Sequence, residues 1–364
     1  MSTSVTADVI AELHDDPRRC AAIARLTYVE TDTPGWSRVR AGRGWRYTDT
    51  RGRTLTSAAT KERLAKLAIP PAYRDVWISP DEHGHILATG HDERGRKQYV
   101  YHPRWRELRD ILNFYRLLVF TGHLGAIREH VGHQLRRRTL DRDQVLATMI
   151  AVLDASYIRI GNEVYAEENH SFGLSTLTDA HIAVHGTKTD WKFPAKSGKF
   201  WDVTIDDSRV ARVLAKLVDV VEPGHRLFTV DGRSVDSDDV NAVLREVTGE
   251  HLTAKDFRTW GGTLAAFTYL RDHLDSDRPT RTIVNEALDE AAHELGNTRT
   301  VAKAHYVHPD VVAAFAHDRF AGYLARSNAR TDPHLDATER QLTGFLEVLL
   351  DAEFAALRDG DPGV

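Results

Sequence analysis

Tyr306 ends the stretch Gly296-Asn297-Thr298-Arg299-Thr300-Val301-Ala302-Lys303-Ala304-His305-Tyr306, in which glycine closes one helical pattern and a second begins before the tyrosine. A phenol, with an ordinary pKa of about 10, is a poor nucleophile at neutral pH unless positive charge stands beside it. Basic residues recur upstream within the strings Tyr157-Ile158-Arg159-Ile160-Gly161, Pro194-Ala195-Lys196-Ser197-Gly198 and Lys255-Asp256-Phe257-Arg258-Thr259-Trp260-Gly261. Guanidinium groups stay ionised, match phosphate oxygens in pairs, and offset the extra negative charge of a pentacoordinate phosphorus. Arg159, Arg258 and the amide of Asn297 suit that oxygen-binding role, and Tyr306 suits the nucleophile. Lys196 suits the general acid that a departing sugar alkoxide requires. Together they could carry out attack of a tyrosine on a phosphodiester.

Each member also has a purely structural reading. Arg159 could cap a helix C-terminus, where a cation is favourable. Arg258 could pair with Asp256, Asn297 could be helix punctuation after Gly296, and Tyr306 could pack a core edge. Lysine usage bears on Lys196. Only ten of the 48 basic residues are lysine, and Lys188, Lys192, Lys196 and Lys199 fall within twelve positions. Such a cluster fits a strand edge protected against pairing as well as it fits a site.

The elements that must position these groups fall into two textures, and the fold class is α+β. Residues 1–104 are turn-rich: helical stretches near Val5 to Ala24, a strand and turn over Trp45 to Gly52, and a short helix near Ser57 to Leu67 halted by Ile69-Pro70-Pro71. Val76 to Ile78, Ile86 to Gly90 and Gln98 to Tyr101 are short β-branched or aromatic runs between turns, the pattern of a small antiparallel sheet. Residues 105–330 are mainly helical. Val145, Met149, Leu153 and Tyr157 fall four apart on one buried helix face that delivers Arg159. His181 to His185, Asp190 to Phe193 and Lys199 to Ile205 alternate as strands, the last two forming a β-hairpin across the Lys196 turn. Helical patterns resume at Arg209 to Val218, Asp238 to Glu246, Ala254 to Leu274, Thr280 to Leu295 and Pro309 to Leu324. Residues 331–364 form an acidic C-terminal helix or tail, with helical pattern over Ala337 to Leu357.

The 364 residues carry 41% apolar and 28% charged side chains, an ordinary globular balance. The N-terminal residues lack a secretory pattern, and no apolar run reaches the roughly 18 residues of a membrane span, so the expected location is cytoplasmic, associated with the nucleoid. The single cysteine, Cys20, precludes an internal disulfide and any Cys-x-x-Cys metal site. Asp81-Glu82-His83-Gly84-His85 reads as a polar turn between strands, so no metal is expected. Net charge is −5, but 331–364 hold eight acids against Arg340 and Arg358, a local −6 that leaves +1 elsewhere. Basic residues cluster at Arg94, Arg96, Lys97, Arg104 and Arg106 and at Arg136-Arg137-Arg138.

The order Arg159, Lys196, Arg258, Asn297, Tyr306, in the strings Tyr-Ile-Arg-Ile-Gly, Lys-Asp-Phe-Arg-Thr-Trp-Gly and Gly-Asn-Thr followed by Tyr306, resembles the type IB DNA topoisomerases, in particular the poxvirus-like and bacterial branch. Ile69-Pro70-Pro71-Ala72-Tyr73 and Gly95-Arg96-Lys97-Gln98-Tyr99-Val100-Tyr101 are similar to that family's DNA-clamping domain. The resemblance extends over residues 40 to 325 and implies a small N-terminal DNA-clamp domain beside a larger catalytic domain. It implies duplex DNA as partner, relaxation through a 3′-phosphotyrosyl link with strand rotation, and no need of ATP, metal or other cofactor. It also implies a monomer, with Arg96, Lys97, Gln98, Tyr99 and Tyr101 on the N-terminal lobe and Tyr165 on the catalytic lobe against the duplex. Asn297 departs from the histidine of many members; an amide donates to a phosphate oxygen but cannot share a proton.

Two other readings remain open at this level. A tyrosine recombinase would use the same tyrosine, arginines and lysine, but usually shows His-x-x-Arg where this chain has Lys255-Asp256-Phe257-Arg258. A non-catalytic DNA-binding protein on the same frame would have no use for a nucleophile and a general acid.

Overall fold

The computed structural model describes residues 13, 16–42, 44–161, 171–327 and 332–359, the side chains at 197 and 354–359 excepted. It separates into two compact units at Phe114/Tyr115.

The N-terminal unit is built on a five-stranded antiparallel sheet of β1 (Trp36–Ala41), β2 (Gly44–Thr48), β3 (Arg74–Ile78), β4 (Ile86–His91) and β5 (Lys97–Tyr101), in spatial order β2-β1-β3-β4-β5. Helices α1 (Pro17–Ile23) and α2 (Ala58–Lys66) accompany it, α1 being the described part of the helical pattern expected over Val5 to Ala24. Leu64, Ile69, Val76, Ile78 and Ala88 form its core. β1 does not announce itself in sequence, because Ser37-Arg38-Val39-Arg40 lacks apolar alternation. Arg38 is nevertheless buried, donating to the carbonyls of Ile69 (2.9 Å), Pro70 (2.9 Å) and Tyr73 (3.0 Å). One guanidinium thus satisfies the carbonyls of the loop that follows α2 and allows a loop to be buried. Asp81 to His85 is a turn in which Asp81 accepts from the His83 N–H. His85 is a core residue, accepting from the Val29 N–H and stacked on Tyr28.

Helix α3 (Pro103–Arg136) runs through the boundary between the units. In the larger unit, α4 (Arg142–Ser156) is buried nearly all round and is capped by Asp141 at its start. A three-stranded antiparallel sheet follows, β6 (Ile182–His185), β7 (Lys188–Pro194) and β8 (Phe200–Asp206), so the three expected strands pair in one sheet with β7 and β8 as the hairpin. Thr189, Trp191 and Phe193 of β7 and Trp201 and Ile205 of β8 supply its buried face. After α5 (Ser208–Val220) come a two-stranded ribbon (β9, Thr229–Val230; β10, Arg233–Ser234), α6 (Ser237–Thr248), α7 (Ala254–Asp272), α8 (Thr280–Glu294) and α9 (Arg299–His305).

One expected helix, Pro309 to Leu324, is two: α10 (Pro309–Ala316) and α11 (Phe320–Arg326). Asp318 takes φ +56 between them, which brings Phe320 against Phe267 and Phe345, ring centroids 5.4 and 4.5 Å away. The core contact overrides the local helical preference. The acidic C-terminal segment is likewise more than a solvated rod. α12 (Ala337–Asp359) buries Leu342, Phe345, Leu346, Leu349 and Leu350. Its Glu339 accepts two hydrogen bonds from Arg128 of α3, both 2.8 Å, while Arg128 also pairs with Asp154 of α4. No helix among the described residues is long and apolar enough to cross a membrane.

Candidate active site

Local backbone chemistry sets Arg159. α4 stops at Tyr157, whose left-handed conformation (φ 54) turns the chain out of the helix. The next residues pair with 173–175: Leu174 N–H donates to the Arg159 carbonyl (2.8 Å) and Ser175 N–H to that of Ile160 (2.7 Å). Two glycines make this pairing close, since a Cβ on Gly173 would lie 2.6 Å from the Gly161 nitrogen. The adjacent Phe172 N–H donates to the Pro194 carbonyl (2.9 Å), which ties the segment to the turn carrying Lys196. That turn is a short 3-10 segment (Lys196–Gly198) closed by Ala195 N–H to the Lys199 carbonyl at 2.7 Å.

α7 holds Arg258 and, four residues on, Gly262, so both lie on one face. Arg258 is buried, donates to the carbonyls of Tyr157 and Leu295 (the latter at 2.8 Å), and has its guanidinium carbon 4.9 Å from the centre of the Tyr306 ring. Tyr306 caps α9, and its backbone lies on Gly262, where a Cβ would come within 2.8 Å of the Tyr306 carbonyl oxygen. Thr263 completes the hold. Its hydroxyl donates to that carbonyl (3.3 Å) and accepts from the His308 N–H (3.1 Å). Asn297 is buried, and its Oδ1 accepts from Arg159.

A single cavity of about 270 Å³ is lined by Arg159, Lys196, Lys255, Arg258 and Tyr306, with residues 160–161, 171–173 and 254 completing its wall. Four cations face it, and none of its described lining residues bears a carboxylate. The first turn of α7 also contributes to the wall, so the positive end of the helix dipole adds to the field. Burial by itself would raise the Tyr306 phenol. The charges of Arg258, then Arg159 and Lys255, outweigh it and hold the pKa below the ordinary tyrosine value. Burial, and then repulsion from Arg159, press the Arg258 guanidinium down to about 10, still ionised at neutral pH. Asn297 Nδ2 and Arg258 Nε are buried without a hydrogen-bond partner among the described residues. Such donors call for an acceptor, and a bound anion would supply one.

All five residues expected to do chemistry therefore come together: four line the cavity and Asn297 is bonded to one of them. Lys255 joins them without having been assigned a role from sequence. Its spacing of three from Arg258 on one helix was the available signal. The Tyr157 and Leu295 carbonyls, Gly262 and Thr263 act through backbone, which residue type does not reveal.

The expected DNA-contacting residues of the N-terminal unit lie on or beside β5, an edge strand. Lys97, Tyr99 and Tyr101 alternate on its outer face, opposite Val100, which packs on the core. The rings of Tyr99 and Tyr101 stack with centroids 5.6 Å apart, and the Lys97 ammonium sits 5.6 Å from the Tyr99 ring. Arg96 pairs with Asp92 (2.8 Å), and Gln98 donates to the same carboxylate (3.0 Å). Tyr165 lies outside the described residues.

Comparison with known proteins bears on both units. Residues 102–319 match the family described as the catalytic core of eukaryotic DNA topoisomerase I, and residues 44–92 match the N-terminal domain of bacterial DNA topoisomerase IB. DNA topoisomerase 1B of Acanthamoeba polyphaga mimivirus is 30% identical over 261 residues, covering 68% of this chain and 77% of the viral protein. DNA topoisomerase 1B of vaccinia virus (strain Copenhagen) is 21% identical over 277 residues, covering 73% of this chain and 85% of its own. Both units and the greater part of the chain length are accounted for by one lineage: the chain belongs to the type IB DNA topoisomerases, a family of isomerases.

Proposed function

We propose that this chain relaxes supercoiled duplex DNA as a monomer, by breaking one strand through a 3′-phosphotyrosyl intermediate, letting the free end rotate, and resealing it. The observation that carries the reading is the cavity that gathers Arg159, Lys196, Arg258 and Tyr306, with no carboxylate among its described lining residues.

The Tyr306 hydroxyl attacks the phosphorus, forming the Tyr–O–P bond while the bond from phosphorus to the 5′ oxygen breaks. The phenolic proton passes to solvent, eased by the depressed pKa. Lys196 delivers a proton to the departing 5′ oxygen and is recharged from solvent. Arg159, Arg258 and the Asn297 amide hold the non-bridging oxygens, where negative charge accumulates in the transition state. Because the phosphodiester is exchanged for a phosphotyrosyl ester, its energy is kept for religation, in which the 5′ hydroxyl attacks and the tyrosine leaves. The reaction thus needs neither ATP nor a metal ion. Lys97, Tyr99 and Tyr101, with Arg96 and Gln98, give the N-terminal unit a face of charge and aromatic surface for the duplex.

The test is relaxation of plasmids of either supercoil sign, in excess EDTA and without ATP. Full relaxation is expected, and no relaxation at any salt concentration would defeat the proposal.

A further inference from the structure

We propose that Trp201 is a positioning residue for Lys196, locking the hairpin that carries the lysine onto the loop that carries Asn297. This rests on the general-acid reading of Lys196 given above.

Lys196 is an exposed side chain at the tip of a turn. A lysine there delivers its proton to the right oxygen only if the turn that carries it is fixed relative to the phosphate. Trp201 is the first buried residue beyond that turn. It lies directly across from Phe193, and the two rings stack with centroids 6.4 Å apart. The hairpin is therefore gripped from both strands just below its tip.

The indole also meets the catalytic loop. Gly296 has φ +57, and a Cβ there would run into the Trp201 ring, so the ring rests on the bare backbone of that residue. Gly296 stands between Leu295, whose carbonyl accepts from Arg258, and Asn297, which accepts from Arg159. The indole thus presses on the one residue that joins the partners of both arginines. Its role there is one of shape. Trp77, Trp191 and Trp260 each donate their indole N–H to an oxygen, whereas Trp201 Nε1 is buried with no partner among the described residues.

The experiment measures single-turnover cleavage of duplexes whose scissile phosphate has either an ordinary 5′ oxygen or a bridging 5′ sulfur, a leaving group that needs little protonation. Trp201→Leu should slow oxygen cleavage about tenfold or more and sulfur cleavage less than about threefold, because a displaced general acid matters only to the oxygen. Trp201→Phe should recover most of the oxygen rate. Lys196→Ala is run in parallel. If sulfur rescues Lys196→Ala, yet Trp201→Leu slows both substrates equally or neither, the positioning role is overturned while the general-acid reading stands. If sulfur fails to rescue Lys196→Ala, the general-acid reading falls and takes this inference with it. Should Trp201→Leu not fold, Gly296→Ala displaces the same contact from the other side. Any loss of the Asn297 donor in that variant slows both leaving groups alike, so the oxygen-to-sulfur ratio still reports on Lys196, and an unchanged ratio overturns the proposal.

Discussion

The cavity wall of the larger unit and the β5 face of the smaller one both set tyrosine beside cations, yet they are held in opposite ways. Around the cavity, Arg258 is 3% exposed and Asn297 8%, and each is fixed by a hydrogen bond to another site residue or to its backbone support. On β5 and in the turn before it, Tyr99 is 44% exposed, and Lys97, Arg96 and Gln98 donate to Thr31 and Asp92 of neighbouring loops. Chemistry at phosphorus needs groups that do not move between ground and transition state, which requires buried support. Gripping a polymer needs charge and flat apolar surface that solvent can reach. Substitutions should therefore act in a nearly all-or-none way at the cavity and by degrees on the strand.

The sharpest separation comes from Tyr306→Phe. It removes one hydroxyl and leaves the ring beside Arg258, so covalent trapping of DNA should vanish while binding persists. A protein-linked 3′ phosphate in that variant, seen on a denaturing gel, would show that another residue is the nucleophile.

Arg258→Lys tests whether positive charge alone suffices. Lysine keeps the charge but cannot donate at once to the Tyr157 and Leu295 carbonyls and to a phosphate oxygen, so cleavage should fall by roughly 10²–10³-fold. Arg258→Ala adds a pH signature. Arg258 favours the ionised phenol, so its removal raises the pKa of Tyr306, and the ionised fraction then appears only at higher pH. The single-turnover pH–rate profile should shift to the alkaline side. An unshifted profile would mean that phenol ionisation does not govern the rate.

Support behind the cavity should matter next. Glu339 ties Arg128 to α12 and accepts from the Trp260 indole at 3.4 Å, two residues beyond Arg258. Glu339→Ala leaves Arg128 only Asp154 as a carboxylate partner among the described residues, and should cost about 2–3 kcal/mol by loss of charged hydrogen bonds. Thermal melting would read this, and an unchanged midpoint would mean that α12 is held by its apolar face alone. By the same packing, a chain ended near Arg330 would lose Phe345 and Leu346 from the core.

These contrasts also explain what was legible in the sequence. Tyr306, Arg159, Arg258, Asn297 and Lys196 could be read because phosphoryl chemistry restricts residue type, and their strings carry a punctuating glycine. Strands β3, β4 and β5 were visible by composition between turns. β1 was not, because its buried member is an arginine whose partners are carbonyls of a loop more than thirty residues away. The break at Asp318 was hidden for a similar reason: local pattern favours one helix, and only the distant rings of Phe267 and Phe345 pull Phe320 out of line. What acts through backbone, such as the Tyr157 carbonyl or the close approach at Gly262, leaves no mark on residue type until the chain is folded.

The smallest effects are expected on β5, and they should differ in kind from one another. Lys97→Ala removes a phosphate-directed charge, so binding should weaken evenly across DNA sequences and the slope of log affinity against log salt should fall by about one. Tyr99→Ala removes flat apolar surface and the ring that supports Tyr101, so it should weaken binding several-fold with little change in salt slope. Neither should alter the cleavage rate once DNA is saturating, because neither group belongs to the cavity. If Lys97→Ala instead lowers the saturated rate by tenfold or more, the division between gripping and chemistry is wrong, and the N-terminal unit takes part in assembling the catalytic geometry.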